Sequence, residues 1–215
     1  MPINYAEQTY VFTAPVALDY PKLFTPVAFK DKATGKEKGE KKYQANFLVP
    51  RDHPDYQPVI ALANKVFRGT WPDKPIAPEW FPCFANGDEL ADKAKLRNKD
   101  NERMRGCLVI QARSIQQPSL SVYENKKLLK LLSPELIEMN KSKFYAGVLC
   151  YPTILFNAFE VGKTGINAYL NMLLSTNRGE RFAVGRDEDT VYAHVTGGPS
   201  NVDPTAPKEE AGVNW

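Results

Sequence analysis

Alternating polar and apolar positions predict β-strands in the first fifty residues. The segment "TYVFTAPVALDYP", residues 9–21, is rich in β-branched and aromatic residues, and "YQANFLVP", residues 43–50, alternates polar with apolar side chains until Pro50 ends it. Between them lies the lysine-rich stretch "KDKATGKEKGEKK", residues 30–42, which contains Gly35 and Gly39. The pattern therefore predicts a β-hairpin with a long loop.

A helical pattern follows the hairpin. Its apolar residues recur at the spacing that places them on one face of a helix: Val59, Ile60, Ala63, Val66 and Phe67. This predicts one amphipathic helix over residues 56–68. Prolines at positions 72, 75, 78 and 82 then exclude a regular helix or a central strand. We expect an extended loop there, carrying Trp71, Trp80 and Phe81.

The second half of the chain returns to strand patterns. Strands are predicted in "MRGCLVIQARSI", residues 104–115, and in "PSLSVYE", residues 118–124. Ser133 followed by Pro134 has the form of a helix N-cap and first helical residue, so a short helix starts there. Residues 143–176 supply two long β-rich runs, with Gly162 and Gly165 at the turn between them.

Short strands with inserted helices define the fold class. We expect a mainly β protein with inserted helices (α+β), in which about five strands close into an oligonucleotide-binding (OB) barrel with long loops. A β-sandwich is the competing architecture. One domain is predicted over residues 1–195 and a flexible acidic tail over residues 196–215, where prolines, charge and low hydrophobicity prevent folding.

The charge of the chain is unevenly distributed. Its formal net charge is +3, from 28 basic and 25 acidic residues, but the tail holds one lysine against three acids. The body therefore carries a net charge of 27 − 22 = +5. Residues 93–113 contain seven basic residues against two acids, and residues 30–42 contain six lysines against three. Such clusters suit a phosphate backbone, although a solvated surface is the alternative for each alone.

Signals for catalysis, metals, disulfides and export are weak. The segment "NAFEVGKT" has Asn157 where a phosphate-binding loop needs glycine, and neither histidine has a second ligand at metal spacing. The acidic groups "GDELAD" and "GRDEDT" fit solvated turns better than a cation site. Cys83, Cys107 and Cys150 cannot all pair, so we expect reduced core cysteines. Without an apolar span or a signal peptide, the chain is expected in the cytoplasm.

Aromatic residues interleaved with basic residues are the strongest functional signal. Proteins that bind single strands use cations along the backbone and exposed rings on which bases stack. Strand alternation places Tyr43 on the same face as Phe47, with Phe47 in the core and Tyr43 at the mouth of the strand. The candidate nucleic-acid-binding residues are Lys36, Lys38, Lys41, Lys42, Tyr43, Arg68, Trp71, Trp80, Arg97, Arg103, Arg105, Lys143 and Tyr145.

Several segments, in order along most of the chain, resemble a family of bacteriophage single-stranded DNA-binding proteins with an OB fold. They are "YPKLFTPVAF", "GEKKYQANFLVPRD", "FANGDE", "MRGCLVIQARS", "KFYAGVLCYPTILFNAF" and "GKTGINAYLNML". The resemblance implies a protein that coats single-stranded DNA (ssDNA) during phage replication and recombination, without sequence preference, turnover or cofactor. It also implies an analogy to proteins of short-tailed phages whose acidic tails end in an aromatic residue.

The residues predict a non-catalytic ssDNA-binding protein without a metal, a monomer or weak homodimer. The resemblance implies that it comes from a phage and acts in the host cytoplasm. The tail is expected to compete with DNA through Asp203, Glu209, Glu210 and Trp215, and to dock phage or host replication proteins. Three alternatives stay open. They are a single-strand annealing recombinase, a metal-dependent nuclease built on Asp88, Glu89 or residues 187–189, and an interaction protein with an acidic partner.

Overall fold

Two long antiparallel strands open the fold. The computed structural model describes residues 5–30, 37–160 and 164–182. After the short helix α1 (Tyr5–Gln8) and strand β1 (Thr9–Val11), strand β2 (Val16–Lys30) pairs with β3 (Glu37–Pro50). The predicted hairpin is present, but residues 37–42, expected in its loop, belong to β3. Backbone pairing does not depend on side-chain charge, so the lysines remain on the strand with Val27 opposite Lys42.

Five strands close into a barrel. The remaining strands are β4 (Phe84–Asn86), β5 (Cys107–Ser114), β6 (Ser119–Glu124), β7 (Lys127–Lys130), β8 (Leu149–Phe159) and β9 (Gly165–Ser175). Strand β2 pairs with β3, β3 with β5, β5 with β9, β9 with β8, and β8 again with β2. Only the β5–β9 contact within this circuit is parallel. The closed five-stranded circuit confirms the OB-like fold.

Helices bridge the strands. Helix α2 (Tyr56–Thr70) and helix α4 (Pro134–Asn140) confirm the two predicted helices, and the Ser133 side chain caps α4 by accepting a hydrogen bond from the Leu136 N–H. Helix α3 (Gly87–Lys95) was missed, because its first turn was interpreted as a solvated turn. Its Asn86 side chain accepts from Asp88 N–H, and Asp88 and Glu89 lie at its N-terminus, where the helix dipole favours acids.

The barrel interior forms the main core. Alternate residues of β3 point into it, including Ala45, Phe47 and Val49, and helix α2 adds Val59, Ala63, Val66 and Phe67 from one face. Cys83 and Cys150 are buried and unpaired, as expected, whereas Cys107 is only half-buried. Burial of one such large apolar side chain contributes about 1.5–3 kcal/mol, so this interior is the main source of stability.

The described residues lie in one unit that ends at Phe182. No helix among them is long and apolar enough to cross a membrane. The tail residues Asp203, Glu209, Glu210 and Trp215 lie outside the described part of the chain, and the domain boundary at residue 195 stays a prediction.

Candidate nucleic-acid interface

The outward face of β3, β5 and β9 is polar. Strand alternation turns Gln44 and Asn46 of β3 away from the core, because Ala45 and Phe47, which alternate with them, are buried. Opposite them on β5 lie Arg113 and Gln111. On β9 the same alternation leaves Asn167 and Tyr169 outside, next to the buried Ile166, Ala168 and Leu170. We call this surface, with Lys42, the polar face.

A cavity of about 170 Å³ opens in the polar face. Strands β5 and β9 pair at one position, Ala112 opposite Ala168. The two strands therefore separate on either side of that pair and leave space between them. The cavity is lined by Lys42, Pro82, Cys83, Gln111, Arg113, Asn167, Ala168 and Tyr169. These residues supply two cations, two amides and a phenol but no carboxylate. The lining is therefore suited to an anionic ligand such as a phosphate.

The cations of the polar face are not neutralised by nearby acids. Among the described residues, neither Lys42 nor Arg113 forms an ion pair, whereas the neighbouring Lys41 lies 3.5 Å from Glu37. Lys22 is exposed on β2 opposite Gln44 and adds a further positive charge at the edge of the face. This arrangement raises the local concentration of anions.

A small second core closes one end of the polar face. Leu48, Met104 and Val109 are buried there, with Phe182 packed against them. Arg103 also lies at this end, because its partner Asp19 stands opposite Asn46. The polar face therefore ends at this second core, on the side away from Lys42 and Arg113.

Arg103, expected on DNA, instead holds a buried ion pair. Its guanidinium donates to Asp19, with Nη2 3.1 Å from Oδ1, and Asp19 is 0% exposed. Burial raises the pKa of Asp19 above its ordinary value, and the charge and hydrogen bonds of Arg103 oppose that rise. Tyr20 and Phe182 also pack their rings 5.4 and 5.3 Å from the guanidinium carbon. The basic segment predicted from sequence thus contains a residue whose charge is used inside the fold.

Arg105 is also engaged within the protein. Its Nε lies 2.7 Å from Glu102 Oε2 and its Nη2 lies 3.0 Å from Asp92 Oδ1. The hydrogen bonds that Arg105 donates to Glu102, and to a lesser extent to Asp92, raise the pKa of Arg105 above its ordinary value. Its side chain is nevertheless well exposed, so these carboxylates reduce rather than exclude its availability to a phosphate.

Trp71, expected as a stacking platform, is buried. It is 7% exposed, its ring centroid lies 5.1 Å from that of Phe67, and its Nε1 donates to Glu160 Oε1 at 2.6 Å. Lys74 of the proline-rich loop also lies beside the indole, with its Nζ 5.1 Å from the ring centroid. Trp80 is partly buried, with its centroid 6.0 Å from that of Phe67 and Lys74 Nζ 5.2 Å from its ring. Only Trp80 of this pair keeps an accessible part.

The other predicted residues are scattered. Lys41 is exposed, and Tyr43 is partly buried opposite Ser114 at the end of β5. Tyr145 lies under the Arg181 guanidinium, at 4.4 Å from the ring centroid, and Lys143 pairs with Glu124. Arg68 and Arg97 are exposed. Lys36 and the side chain of Lys38 lie outside what the structure describes.

Six residues of the polar face were missed from the sequence: Gln44, Asn46, Gln111, Arg113, Asn167 and Tyr169. Arg113 stood at the end of a basic segment that was recognised, but was not selected from it. The alternation in "GINAYL" carries the signal for Asn167 and Tyr169, because Ile166, Ala168 and Leu170 must then share the core face.

The acids proposed for a nuclease are otherwise engaged. Asp88 pairs with Arg51 and accepts from the Gly106 N–H at 2.8 Å, and Glu89 pairs with Lys93. Among the described residues, no three histidine, cysteine or acidic side chains gather as a metal site would require. Residues 187–189 lie outside the described part of the chain.

Comparison with known families identifies the chain. Residues 9–196 match the family model described as "Enterobacter phage Enc34, ssDNA-binding protein". The chain belongs to this family. The match covers the whole barrel, including β2, β3, β5, β8 and β9, and agrees with the family resemblance noted in the sequence.

Solved structures of the same family share the fold. One is the "Single-stranded DNA-binding protein from bacteriophage Enc34", with a TM-score of 0.60 and 22% identity over 86% of this chain and 90% of that one. Another is that protein "in complex with ssDNA", with a TM-score of 0.60 and 22% identity over 83% and 90%. A comparison with curated protein sequences finds no significant match.

Proposed function

We propose that this protein binds single-stranded DNA on the polar face, without sequence preference and without catalysis. The observation that carries the proposal is the cavity between β5 and β9, which presents Lys42 and Arg113 with amide donors and the Tyr169 ring. In OB folds the outer face of the second and third barrel strands, here β3 and β5, is a common oligonucleotide site. The family to which the chain belongs supports the same ligand, as does the structure of the bacteriophage Enc34 protein in complex with ssDNA.

The chemistry of the face suits an unpaired strand. Lys42 and Arg113 would contact phosphates, and Tyr169 would offer a ring for base stacking, which contributes about 1–3 kcal/mol per base in such proteins. Stacking on a phenol does not distinguish the four bases, so the binding is not sequence-specific. A rigid duplex hides its base faces and gains only the phosphate contacts.

The remaining predicted residues form an outer set of contacts. Eight of them keep exposed parts and stay proposed contacts of a longer strand: Lys41, Tyr43, Arg68, Trp80, Arg97, Arg105, Lys143 and Tyr145. Lys36 and Lys38, whose side chains lie outside what the structure describes, also stay proposed contacts. Arg103 and Trp71 are removed from the set because their side chains serve the core. The protein would act in phage DNA replication and recombination in the host cytoplasm.

The acidic tail supplies the proposed regulation. Asp203, Glu209 and Glu210 would imitate phosphates and Trp215 a base, so that the tail competes for the polar face when DNA is absent. Once DNA displaces it, the tail would be free to contact phage or host replication proteins.

A binding isotherm tests the function. A fluorescent oligothymidine is titrated with the protein at 50 and 200 mM salt, values typical for such comparisons, with the matching duplex as competitor. We expect tight binding that weakens steeply with salt and a clear preference for the single strand. Equal affinity for duplex, or an affinity unaffected by salt, would contradict the proposal.

A further inference from the structure

The β6–β7 hairpin extends the sheet beside the polar face. Strand β8 pairs with β9 along its whole length, so β5 and β6 share the other edge of β9. Strand β5 meets β9 at Ala168, and β6 continues along the same edge from Met172 to Ser175. The outer surface of the sheet is therefore continuous from the polar face to the hairpin.

Register decides which hairpin residues share that outer surface. Leu120 and Val122 of β6 are buried in the main core, so Ser119, Ser121 and Tyr123 alternate to the outside. Strand β7 places Leu128 opposite Tyr123 and Lys130 opposite Ser121. Leu174 is the β9 neighbour of Ser121. At the usual rise per strand residue, Leu174 lies about 16 Å along β9 from Tyr169.

The outer surface of the hairpin combines apolar platforms with cations. Tyr123 is 46% exposed and Leu128 is 55% exposed, and they form a cross-strand pair. Lys130 shares their face, Lys126 stands at the tip of the hairpin, and Lys127 alternates to the opposite face of β7. None of the three forms an ion pair with a described carboxylate. The nearby Glu124 is already engaged by Lys143 and by the Asn177 amide, which donates to it at 2.9 Å. The hairpin therefore carries a net positive charge around an exposed ring.

The turn of the hairpin holds a lysine in a costly conformation. Asn125 has φ +51° and Lys126 has φ +61°, so the two-residue turn is of type I′. Glycine is preferred at the second position of this turn, and the left-handed conformation costs a residue with a side chain about 1–2 kcal/mol. The sequence therefore places a cation at the tip of the hairpin at the expense of stability.

We propose that the β6–β7 hairpin is a second segment of the ssDNA interface, taking up the strand where it leaves the polar face along β9. Tyr123 and Leu128 contact a base, and Lys126 and Lys130 contact the flanking phosphates. This inference rests on the proposed function and extends the length of DNA that one molecule covers.

A second copy of the chain is the competing occupant of the hairpin. Strand β7 is a sheet edge with exposed Leu128 and Leu129, which could pair with another strand. A symmetric pairing of two such edges would bring the lysines of both copies together. Lysine on an edge strand opposes such pairing, so the charge favours DNA.

Two oligothymidines separate the hairpin from the polar face. OB folds cover about 4–16 nucleotides each, so one oligothymidine of about 6 and one of about 16 nucleotides are compared. In the full-length chain, Tyr123→Ser with Lys130→Ser should lower the affinity for the longer one at least fivefold, the loss expected for one stacked base. The affinity of this double variant for the shorter oligothymidine should stay unchanged. Lys65→Ser, which replaces an exposed lysine on α2, is the control and should leave the affinity for both oligothymidines unchanged.

Lys126→Gly gives a second readout in the opposite direction. The substitution removes the strained side chain and the charge together, so the thermal midpoint should rise while the affinity for the longer oligothymidine and its salt dependence fall. A destabilised variant that merely folds poorly could not produce this combination.

Three results would overturn the inference. The first is an unchanged affinity of all hairpin variants for the longer oligothymidine when the parent binds it. The second is an equal loss of affinity for both oligothymidines in the hairpin variants. The third is a loss of self-association of these variants in sedimentation, with no loss of affinity for DNA. If the parent binds neither length, the proposed function itself fails, which is a separate result.

Discussion

Arg103 neutralises a carboxylate that has no access to water. Asp19 is fully buried, and the guanidinium above it is the compensating charge. Removing one partner of a buried ion pair leaves an uncompensated charge and costs about 3–5 kcal/mol. We predict a loss of this size in the free energy of unfolding for Arg103→Ala, measured by urea denaturation at neutral pH.

The pH dependence and a neighbouring arginine provide the controls. Because burial raises the pKa of Asp19, the unpaired carboxyl takes up a proton more readily, and the loss should shrink as the pH falls. Arg105→Ala, which removes an exposed arginine, should leave stability close to the parent. Equal stabilities of the two variants would contradict the structural role of Arg103.

Asp55 ties the start of α2 to the N-terminal segment. Its carboxylate accepts from the Tyr10 hydroxyl at 2.8 Å, the Thr13 hydroxyl at 2.8 Å, and the Thr13 and Ala14 N–H groups at 3.0 Å. Burial acts to raise its pKa, but the hydrogen bonds from Ala14, Tyr10 and Thr13 outweigh it, and the pKa is lowered. In Asp55→Asn, the NH2 group of the amide would face N–H or O–H donors that the carboxylate now accepts from. The substitution should therefore lower the free energy of unfolding by about 2–3 kcal/mol at neutral pH.

The dependence of stability on acid pH tests this role of the Asp55 carboxylate. A lowered pKa in the folded state means that the contribution of Asp55 is complete above about pH 4, the ordinary carboxyl value. It is lost as the pH falls through the lowered folded-state pKa. The stability difference between parent and Asp55→Asn should therefore narrow in acid, and a difference that widens there would be inconsistent with it.

At the scale of elements, Gly87 allows α3 to dock against the barrel. A Cβ at this position would lie 1.9 Å from the Met104 carbonyl oxygen and 2.7 Å from that of Cys107. Both contacts are with backbone, which cannot rotate away. Gly87→Ala should therefore destabilise the protein by at least about 3 kcal/mol in thermal or urea denaturation.

Gly69 is the matched control for Gly87. It also lies in a helix, but a Cβ there meets nothing within 4 Å. Gly69→Ala should stabilise the protein by about 0.5–1 kcal/mol, since alanine loses less backbone entropy in a helix. If both substitutions had the same sign, the close approach of α3 would not be the cause.

Local patterns predicted most elements, but not the contacts made across the chain. The periodicity of residues 56–68 and the Ser133–Pro134 pair were sufficient for α2 and α4, because each is decided by its own residues. Helix α3 was missed since glycine and acids in "NGDELAD" are shared by turns and helix starts. The burial of Trp71 and the pairing of Arg103 depend on Glu160 and Asp19, which are remote in sequence, so no local pattern could reveal them.

At the scale of the whole molecule, a basic body is joined to an acidic tail. If the tail competes for the polar face, truncation before Asp203 should tighten ssDNA binding. The gain should be largest at low salt, where the attraction between tail and face is least screened. Fluorescence titration of truncated and full-length protein measures this, and an unchanged or weaker affinity of the truncated protein would count against the competition.

Substitution of the two cations of the cavity tests the central claim most directly. Lys42→Ser combined with Arg113→Ser is compared with the parent and with Lys65→Ser in the salt-dependent oligothymidine titration. The account predicts a much weaker affinity for the double variant, with a slope of log affinity against log salt reduced by about two, one for each lost phosphate contact. Parent-like affinity and slope in a folded double variant would contradict the claim that single-stranded DNA binds on the polar face.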